Sequence, residues 1–406
     1  MDQTLKIGLL GLGARGKGLL EGAIIPVCQE LGAEVSAVYD AYADRTQDGA
    51  QLVEKLTGKR PRACCAAEDI LHDPEIRAVI IATSWEQHIP LALEAMRSGK
   101  YVGLEVGGAY DLRDCWELVE TSERTGVPCM LLENCCFGKR ELMVLNMVRL
   151  GVLGEIVHCS GGYHHDLREE IIFGQENRHY RLRNYLNRNC ENYPTHELGP
   201  IAKVLDINCG NRIVSLSSTA SCAKGLREYA AAKRGADDPL AHAEFAQGDV
   251  VTTVLKCAKG QTIVLTLDTT LPRTYSRGFT VRGTKGYYAE QTDTVYLDEL
   301  YHGPEYEFSP QKLWGNAAQF EEKYMHPIWK NYTPNGGHDG MDYLTIRAFL
   351  QSVQQNAQTP IDVYDAATWM SISALSEQSI LTGGAVVCVP DFTRGTWYTR
   401  KNQSCL

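Results

Sequence analysis

The alternation of apolar and polar positions divides the chain near residue 134. Before that point, short apolar runs (Leu5–Leu10, Glu34–Tyr39, Ala78–Ala82, Tyr101–Leu104 and Cys129–Leu132) are separated by stretches with helical spacing such as Ile89–Met96 and Leu112–Thr125. Strands separated by amphipathic helices predict βαβ units and a parallel sheet. Beyond it the rhythm changes. A helix over about 140–150 leads into longer strand-like segments, Ile156–Tyr163, Ile213–Ser218, Val250–Lys256, Thr262–Thr269 and Phe279–Arg282. The turns Ala258-Lys259-Gly260 and Gly283-Thr284-Lys285-Gly286 join consecutive strands, which predicts a mainly antiparallel sheet. Two late amphipathic patterns, near Gly340–Val353 and Asp365–Leu381, are expected to cover one face of it. The aromatic-rich stretch Leu300–Tyr332 reads as a packed loop.

Composition narrows the classes of function. A chain of 406 residues exceeds one typical domain, so two are expected, 1–134 and 135–406. A formal net charge of −10 and a pI near 5.6 argue against nucleic acid or an anionic membrane as partner, because both select basic faces. The apolar runs fall well short of the roughly 20 residues that span a bilayer. Met1–Lys6 goes directly into the apolar strand, leaving no room for an export signal, so the expected location is cytoplasmic, or else a precursor has been trimmed. Fourteen cysteines are scattered, include the adjacent pairs Cys64-Cys65 and Cys135-Cys136, and show no C-x-x-C spacing. They read as reduced thiols, with no metal site expected. An open antiparallel face would suit self-association, so a homo-oligomer is among the expected states.

The first chemical signal is Gly11-Leu12-Gly13-Ala14-Arg15-Gly16, at the end of one strand and the start of a helix. Glycines there allow a tight turn and let backbone N–H groups approach a pyrophosphate, which the helix N-terminus favours. Asp40 ends the second strand 24 residues after Gly16, where a carboxylate bonds a ribose hydroxyl and repels a 2′-phosphate. The expectation is an N-terminal Rossmann parallel sheet that binds NAD, followed by an α+β domain with a mainly antiparallel open sheet. Trp85, Glu86, Gln87 and His88, and then Glu105 and Val106, follow later strand ends. Ligands of such sheets bind at the carboxyl ends of the strands, so these residues read either as lining for the nicotinamide half or as core and helix-start residues.

The two-part plan resembles the glucose–fructose oxidoreductase and inositol dehydrogenase family. Its members commonly carry Glu-Lys-Pro after the fifth strand, where this chain has Glu105-Val106-Gly107. The chain is closer to the NAD-dependent α-N-acetylgalactosaminidases of glycoside hydrolase family 109. The matching stretches are Trp85-Glu86-x-His88, Leu132-Glu133-Asn134, Gly161-Gly162-Tyr163-x-His165-Asp166-Leu167 and Tyr193-Pro194-Thr195-His196. Others are Gly248-Asp249-Val250-Val251-Thr252-Thr253, Gly337-His338-x-Gly340-Met341-Asp342-Tyr343 and Asp362-Val363-Tyr364-Asp365. The resemblance implies NAD contacts from Trp85, Glu86, Gln87, His88, Glu105, Val106 and Asn134, beside those of the glycine turn. It implies sugar contacts from Tyr163, Arg181, Tyr193, His196 and Tyr275, with Pro194, Thr195, Glu133 and His338 in the same strips. Two positions depart from the family pattern: Glu197 follows His196, and Asp339 follows His338, where family members often have glycine. Both carboxylates are expected near the substrate, with an effect on which sugar is accepted.

The implied chemistry is a redox route to glycoside cleavage. Oxidation at C3 acidifies the C2 proton, the group at C1 leaves by elimination, water adds, and the hydride returns. This route needs no pair of flanking carboxylates. It does need proton-transfer groups that work near neutral pH, a part assigned to His196 and Tyr193 with Tyr163 as third candidate. Arg181 would serve as a cation or a clamp on oxygens. The spacing of His338 and Asp342 marks a glycine-bounded helix start, and His164 and His165, as strand neighbours, point to opposite faces. A plain NAD-dependent sugar or polyol dehydrogenase is the alternative, and a non-catalytic NAD or sugar sensor the third reading.

Overall fold

The computed structural model describes residues 4–334 and 336–402. They form two units, the first built from the chain up to Gly138 and from Asn331–Ala367, the second from Lys139–Lys330 and Thr368–Lys401.

The first unit is a six-stranded parallel sheet of β1 (Leu5–Leu10), β2 (Ala33–Tyr39), β3 (Arg62–Ala63), β4 (Ala78–Ile81), β5 (Tyr101–Leu104) and β6 (Cys129–Leu131). Their spatial order is β3-β2-β1-β4-β5-β6. The order reverses between β1 and β4, which opens a crevice at the carboxyl ends of the strands. β4 is buried at every position, as expected of a strand covered on both faces by helices. The helix Leu112–Thr125 starts at Asp111, whose carboxylate accepts the Asp114 N–H at 3.0 Å. The helix Met341–Gln355 also belongs to this unit: the Phe349 ring lies over Gly103 of β5, where an added Cβ would come within 3.1 Å of it. Apolar periodicity predicts a helix here but not its partner, and the expected position over the antiparallel sheet is not the one adopted. The segment thereby departs from the boundary expected at residue 134.

The second unit holds an eight-stranded mixed sheet. Its strands are β7 (Ile156–His164), β8 (Ile213–Ala220), β9 (Val250–Cys257), β10 (Thr262–Asp268), β11 (Thr280–Gly283), β12 (Gly286–Ala289), β13 (Thr294–Leu297) and β14 (Val387–Cys388). They are ordered β13-β12-β11-β7-β10-β9-β8-β14, and all pairings are antiparallel except β7 with β10. Both predicted turns form, between β9 and β10 and between β11 and β12. Burial alternates strictly along β9 and β10, so one sheet face is covered and the other open. The covered face meets the helix Thr195–Val204, which is buried throughout and packs on β7. Leu300–Tyr332 folds as short helical turns, and Asn316 ties one of them to Val295 through two hydrogen bonds of 2.8 Å.

Among the described residues no helix is long and apolar enough to cross a membrane. The described cysteines are free thiols, mostly buried, while Cys405 lies outside the described residues. Burial pushes the Cys28 thiol up to about 12, so it stays protonated at neutral pH.

Candidate functional site

The glycine turn is shaped by contacts that only glycine permits. Gly11 has φ +98°, and a Cβ there would lie 2.4 Å from the Ala82 carbonyl oxygen. A Cβ on Gly16 would lie 2.0 Å from the Gly11 oxygen. Gly13 differs: a Cβ would meet only Arg45 Nη1 at 3.5 Å, so the turn leaves an open cradle at the start of the helix Ala14–Leu19. Asp40 braces the turn, its Oδ2 accepting the Leu12 N–H at 2.7 Å and its Oδ1 the Tyr42 N–H at 2.9 Å.

Along the same sheet edge, Trp85 and His88 are buried at the start of the helix Trp85–Arg97, Glu86 is half-buried and Gln87 is exposed. The Trp85 indole lies over Gly107, where a Cβ would come within 2.5 Å of the ring. This packing accounts for glycine where sugar dehydrogenases of the resembling family carry proline, and the preceding Val106 is a buried apolar residue. His88 Nε2 faces the Thr83 carbonyl at 3.2 Å, so it carries the proton and leaves Nδ1 as an acceptor. Among the described residues, His88 Nδ1 and Glu105 Oε2 are buried without a hydrogen-bond partner. An open glycine cradle and two orphaned acceptors along the carboxyl edge fit a dinucleotide rich in hydroxyl and amide donors.

Burial pushes the His88 imidazole down to about 4, with the Thr83 hydrogen bond opposing only in part. Because this lies below the ordinary value of 6.5, the neutral ring adds stability above that pH, and the contribution is lost as pH falls toward 4. The loss approaches about 3 kcal/mol. Urea unfolding at pH 7 and pH 4.5 should therefore show a pH-dependent drop in the wild type that exceeds that of His88→Asn by about 2 kcal/mol.

Glu105, Asn134 and Arg15 converge in the first unit. Arg15 Nε lies 3.3 Å from Glu105 Oε1, and burial raises the Glu105 carboxyl above its usual range while the Arg15 charge opposes that. Asn134 Nδ2 donates to Asp342 Oδ1 at 2.8 Å. Glu133 caps the turn Asn134–Phe137, its Oε1 accepting the Cys135 N–H at 3.2 Å. His338, expected among the sugar residues, lies in this unit, with Nδ1 2.8 Å from Asp342 Oδ2. Its neighbour Asp339 is exposed on a left-handed backbone, φ +53°.

The second unit brings together the five residues expected to touch sugar. Tyr163 stands at the end of β7, and Tyr193, Pro194, Thr195 and His196 lead into the helix that packs on that strand. The Tyr163 ring centroid is 4.3 Å from that of Tyr193, 5.3 Å from His196 and 6.4 Å from Tyr275. Tyr193 and His196 are 4.8 Å apart and edge-on. Arg181, buried at the start of the helix Arg181–Asn187, holds its guanidinium carbon 5.3 Å from the Tyr193 ring centroid, with Nε 2.6 Å from Glu170. Burial works against the Arg181 charge, but the surrounding phenols and Glu170 hold its pKa above the ordinary value. Tyr275 is the exposed member.

Sequence reading missed His165. Its Nδ1 lies 2.8 Å from the Tyr163 hydroxyl, and its ring meets Tyr275 edge-on at 5.1 Å. Strand alternation contains the signal, since residues two apart share a face. Burial and then the Arg181 charge lower the His165 pKa, favouring a neutral ring.

Glu197, expected near the substrate, packs against β7. A Cβ on Gly161 of β7 would lie 2.7 Å from its Cγ, so the bare glycine backbone makes room for it. Its Oε1 pairs with Arg277 Nε at 3.2 Å, and Arg277 Nη2 also pairs with Glu141. One helical step from His196 rotates the side chain about 100° onto the sheet-facing side.

Two family models match the chain: "Oxidoreductase family, NAD-binding Rossmann fold" over residues 5–132, and "Glycosyl hydrolase 109, C-terminal domain" over residues 137–399. An alpha-N-acetylgalactosaminidase of Tannerella forsythia is 37% identical over 426 aligned positions, covering 98% of this chain and 88% of that protein. A glycosyl hydrolase family 109 protein of Stenotrophomonas maltophilia is 37% identical, covering 98% and 91%. Among solved structures, a levoglucosan dehydrogenase in complex with NADH and levoglucosan has a TM-score of 0.69 at 16% identity, covering 96% of this chain and 100% of that one. The scyllo-inositol dehydrogenase of Lactobacillus casei has a TM-score of 0.65 at 15% identity, covering 96% and 99%.

Proposed function

The chain belongs to glycosyl hydrolase family 109, and on that premise we propose that it cleaves α-N-acetylgalactosaminides or related glycosides, with NAD kept through the reaction cycle. The observation that carries this reading is the clustering of Tyr163, Tyr193, His196, Arg181 and Tyr275, with His165 bonded to the first of them. NAD would be held by the glycine turn with Trp85, His88, Glu105 and Asn134, and would supply a hydride acceptor for C3 of the sugar and the donor that restores C3 once the glycosidic bond has broken.

The side chains supply the proton transfers. His196 accepts the C3 hydroxyl proton as the alcohol becomes a ketone, and gives it back on reduction. Tyr163 takes the C2 proton through its phenol oxygen, passing its own hydroxyl proton to His165 across the 2.8 Å hydrogen bond. The C2–H electron pair forms the C1=C2 bond, and the C1–O bond breaks. Tyr193 donates a proton to the departing oxygen. Arg181 supplies fixed positive charge where negative charge gathers on the C3 oxygen. The Tyr163 and His165 protons then exchange with solvent, and water adds across the alkene: Tyr163 protonates C2 while Tyr193 takes a proton from the water that attacks C1, so the net reaction is hydrolysis.

The test is a panel of aryl glycosides, α-N-acetylgalactosaminide among them, given to NAD-loaded protein with no added acceptor. Release of the aryl group at steady rate supports the reading. A plain dehydrogenase would instead accumulate NADH with free sugar and leave every glycoside intact, and a sensor would turn over neither.

A further inference from the structure

We propose that Asp342 is a positioning residue of the dinucleotide site, whose buried carboxylate locks the side chains of Arg15 and Asn134 into one arrangement and so keeps NAD bound between turnovers. The proposal rests on the reading of Arg15 and Asn134 as cofactor residues.

Asp342 is 3% exposed and carries an unusually full set of donors. Its Oδ1 accepts from Arg15 Nη2 at 2.9 Å and from Asn134 Nδ2 at 2.8 Å. Its Oδ2 accepts from Arg15 Nη1 at 2.8 Å and meets His338 Nδ1 at 2.8 Å. The two Arg15 bonds are a fork matched to a carboxylate, the strongest and most directional pairing available to arginine. Arg15 also approaches Glu105. One carboxylate thus ties the glycine turn after β1 to the end of β6, in a group whose Arg15 also reaches the end of β5. Burial alone would raise the Asp342 carboxyl, but hydrogen bonds from His338 and Arg15 reverse this and hold it well below the ordinary carboxylate range.

The chain segment that delivers Asp342 is built to a fixed position. Gly336 has φ +83°, and a Cβ there would lie 2.0 Å from the Gly22 carbonyl oxygen. Gly22 sits in a π-helical turn, Leu20–Ile24, that continues the helix of the glycine turn. His338 and Asp339 both have left-handed backbones, at φ +50° and +53°. Each is a strained backbone for a non-glycine residue, and such strain persists only where surrounding contacts enforce it. Those contacts are the Gly22–Gly336 approach and the four bonds to Asp342.

The consequence is pre-organisation. A free arginine loses rotamer entropy when it meets its ligand, and a free asparagine amide can turn either way. Asp342 removes both freedoms in advance: Asn134 Nδ2 is committed to the carboxylate, which fixes Oδ1 as the acceptor on the other side of the amide. Pre-organisation of this kind raises affinity chiefly by slowing dissociation.

The experiment measures NAD affinity by calorimetry, and NAD release by trapping, in full-length protein stripped of cofactor and carrying Asp342→Asn, Arg15→Met or both. Asp342→Asn is expected to weaken NAD binding by about 10- to 100-fold, mostly through faster release. In the Arg15→Met background the same change should cost several-fold less, because the side chain being positioned is gone; a merely structural role would cost the same in both backgrounds. If Asp342→Asn does not fold, Asp342→Glu, which keeps the charge and displaces the carboxylate, decides by the same measurements. Wild-type affinity and release rate in the folded Asp342 variant, with Arg15→Met weakened, overturn the positioning role alone. Unchanged affinity in Arg15→Met overturns the underlying cofactor reading as well.

Discussion

Tyr163→Phe is expected to lower kcat on an aryl glycoside by about 10²- to 10⁴-fold, the usual contribution of one proton-transfer group. The substitution keeps the ring that packs 4.3 Å from Tyr193 and 5.3 Å from His196, so melting temperature and NAD affinity should stay within error of wild type. What disappears is the phenol oxygen, and with it the partner of His165 Nδ1. His165→Asn should follow in the same direction with a smaller loss, because it removes the relay but leaves the phenol. A Tyr163→Phe variant within threefold of wild-type kcat would contradict the assignment and move the C2 proton transfer to Tyr193.

The second large effect concerns stability. Arg277 is a half-buried cation between two buried carboxylates, Glu141 at 4% side-chain exposure and Glu197 at 0%. Arg277→Met removes the charge that both depend on. Breaking a buried ion pair from one side costs about 3–5 kcal/mol, because the surviving charge is left desolvated and uncompensated. Urea unfolding at pH 7 should show a loss of that order. A loss below about 1 kcal/mol, the scale of exposed pairs, would mean that the network is solvated.

What the sequence made legible was local chemistry. The glycine turn and Asp40 were readable from spacing, since both lie within one βαβ unit. The strip Tyr193–His196 was readable because helix start and motif coincide. The long strands were readable because one buried sheet face imposes alternation over seven or eight residues. Long-range placement was not legible. Residues 331–367 return to the first unit through Phe349 on Gly103 and Asp342 on Arg15, pairings separated by hundreds of positions that leave no periodic trace. Glu197 looked like a substrate residue because it follows His196, yet the fold places Gly161 and Arg277 to receive it. Strands as short as Arg62–Ala63 and Val387–Cys388 carry too few residues for any pattern. His165 was within reach of the reasoning already applied: the alternation that separates it from His164 puts it on the Tyr163 face.

A hydride borrowed from C3 and returned there acidifies the C2 proton in between, which leaves an isotopic mark at C2. Hydrolysis of an α-N-acetylgalactosaminide in D2O by NAD-loaded protein, with the released sugar analysed by mass spectrometry and NMR, tests this most directly. Deuterium at C2 of the product, with no net NADH formed, is the predicted result. A product that keeps protium at C2 would show that the bond is cut without C2 deprotonation, and the redox route would be wrong.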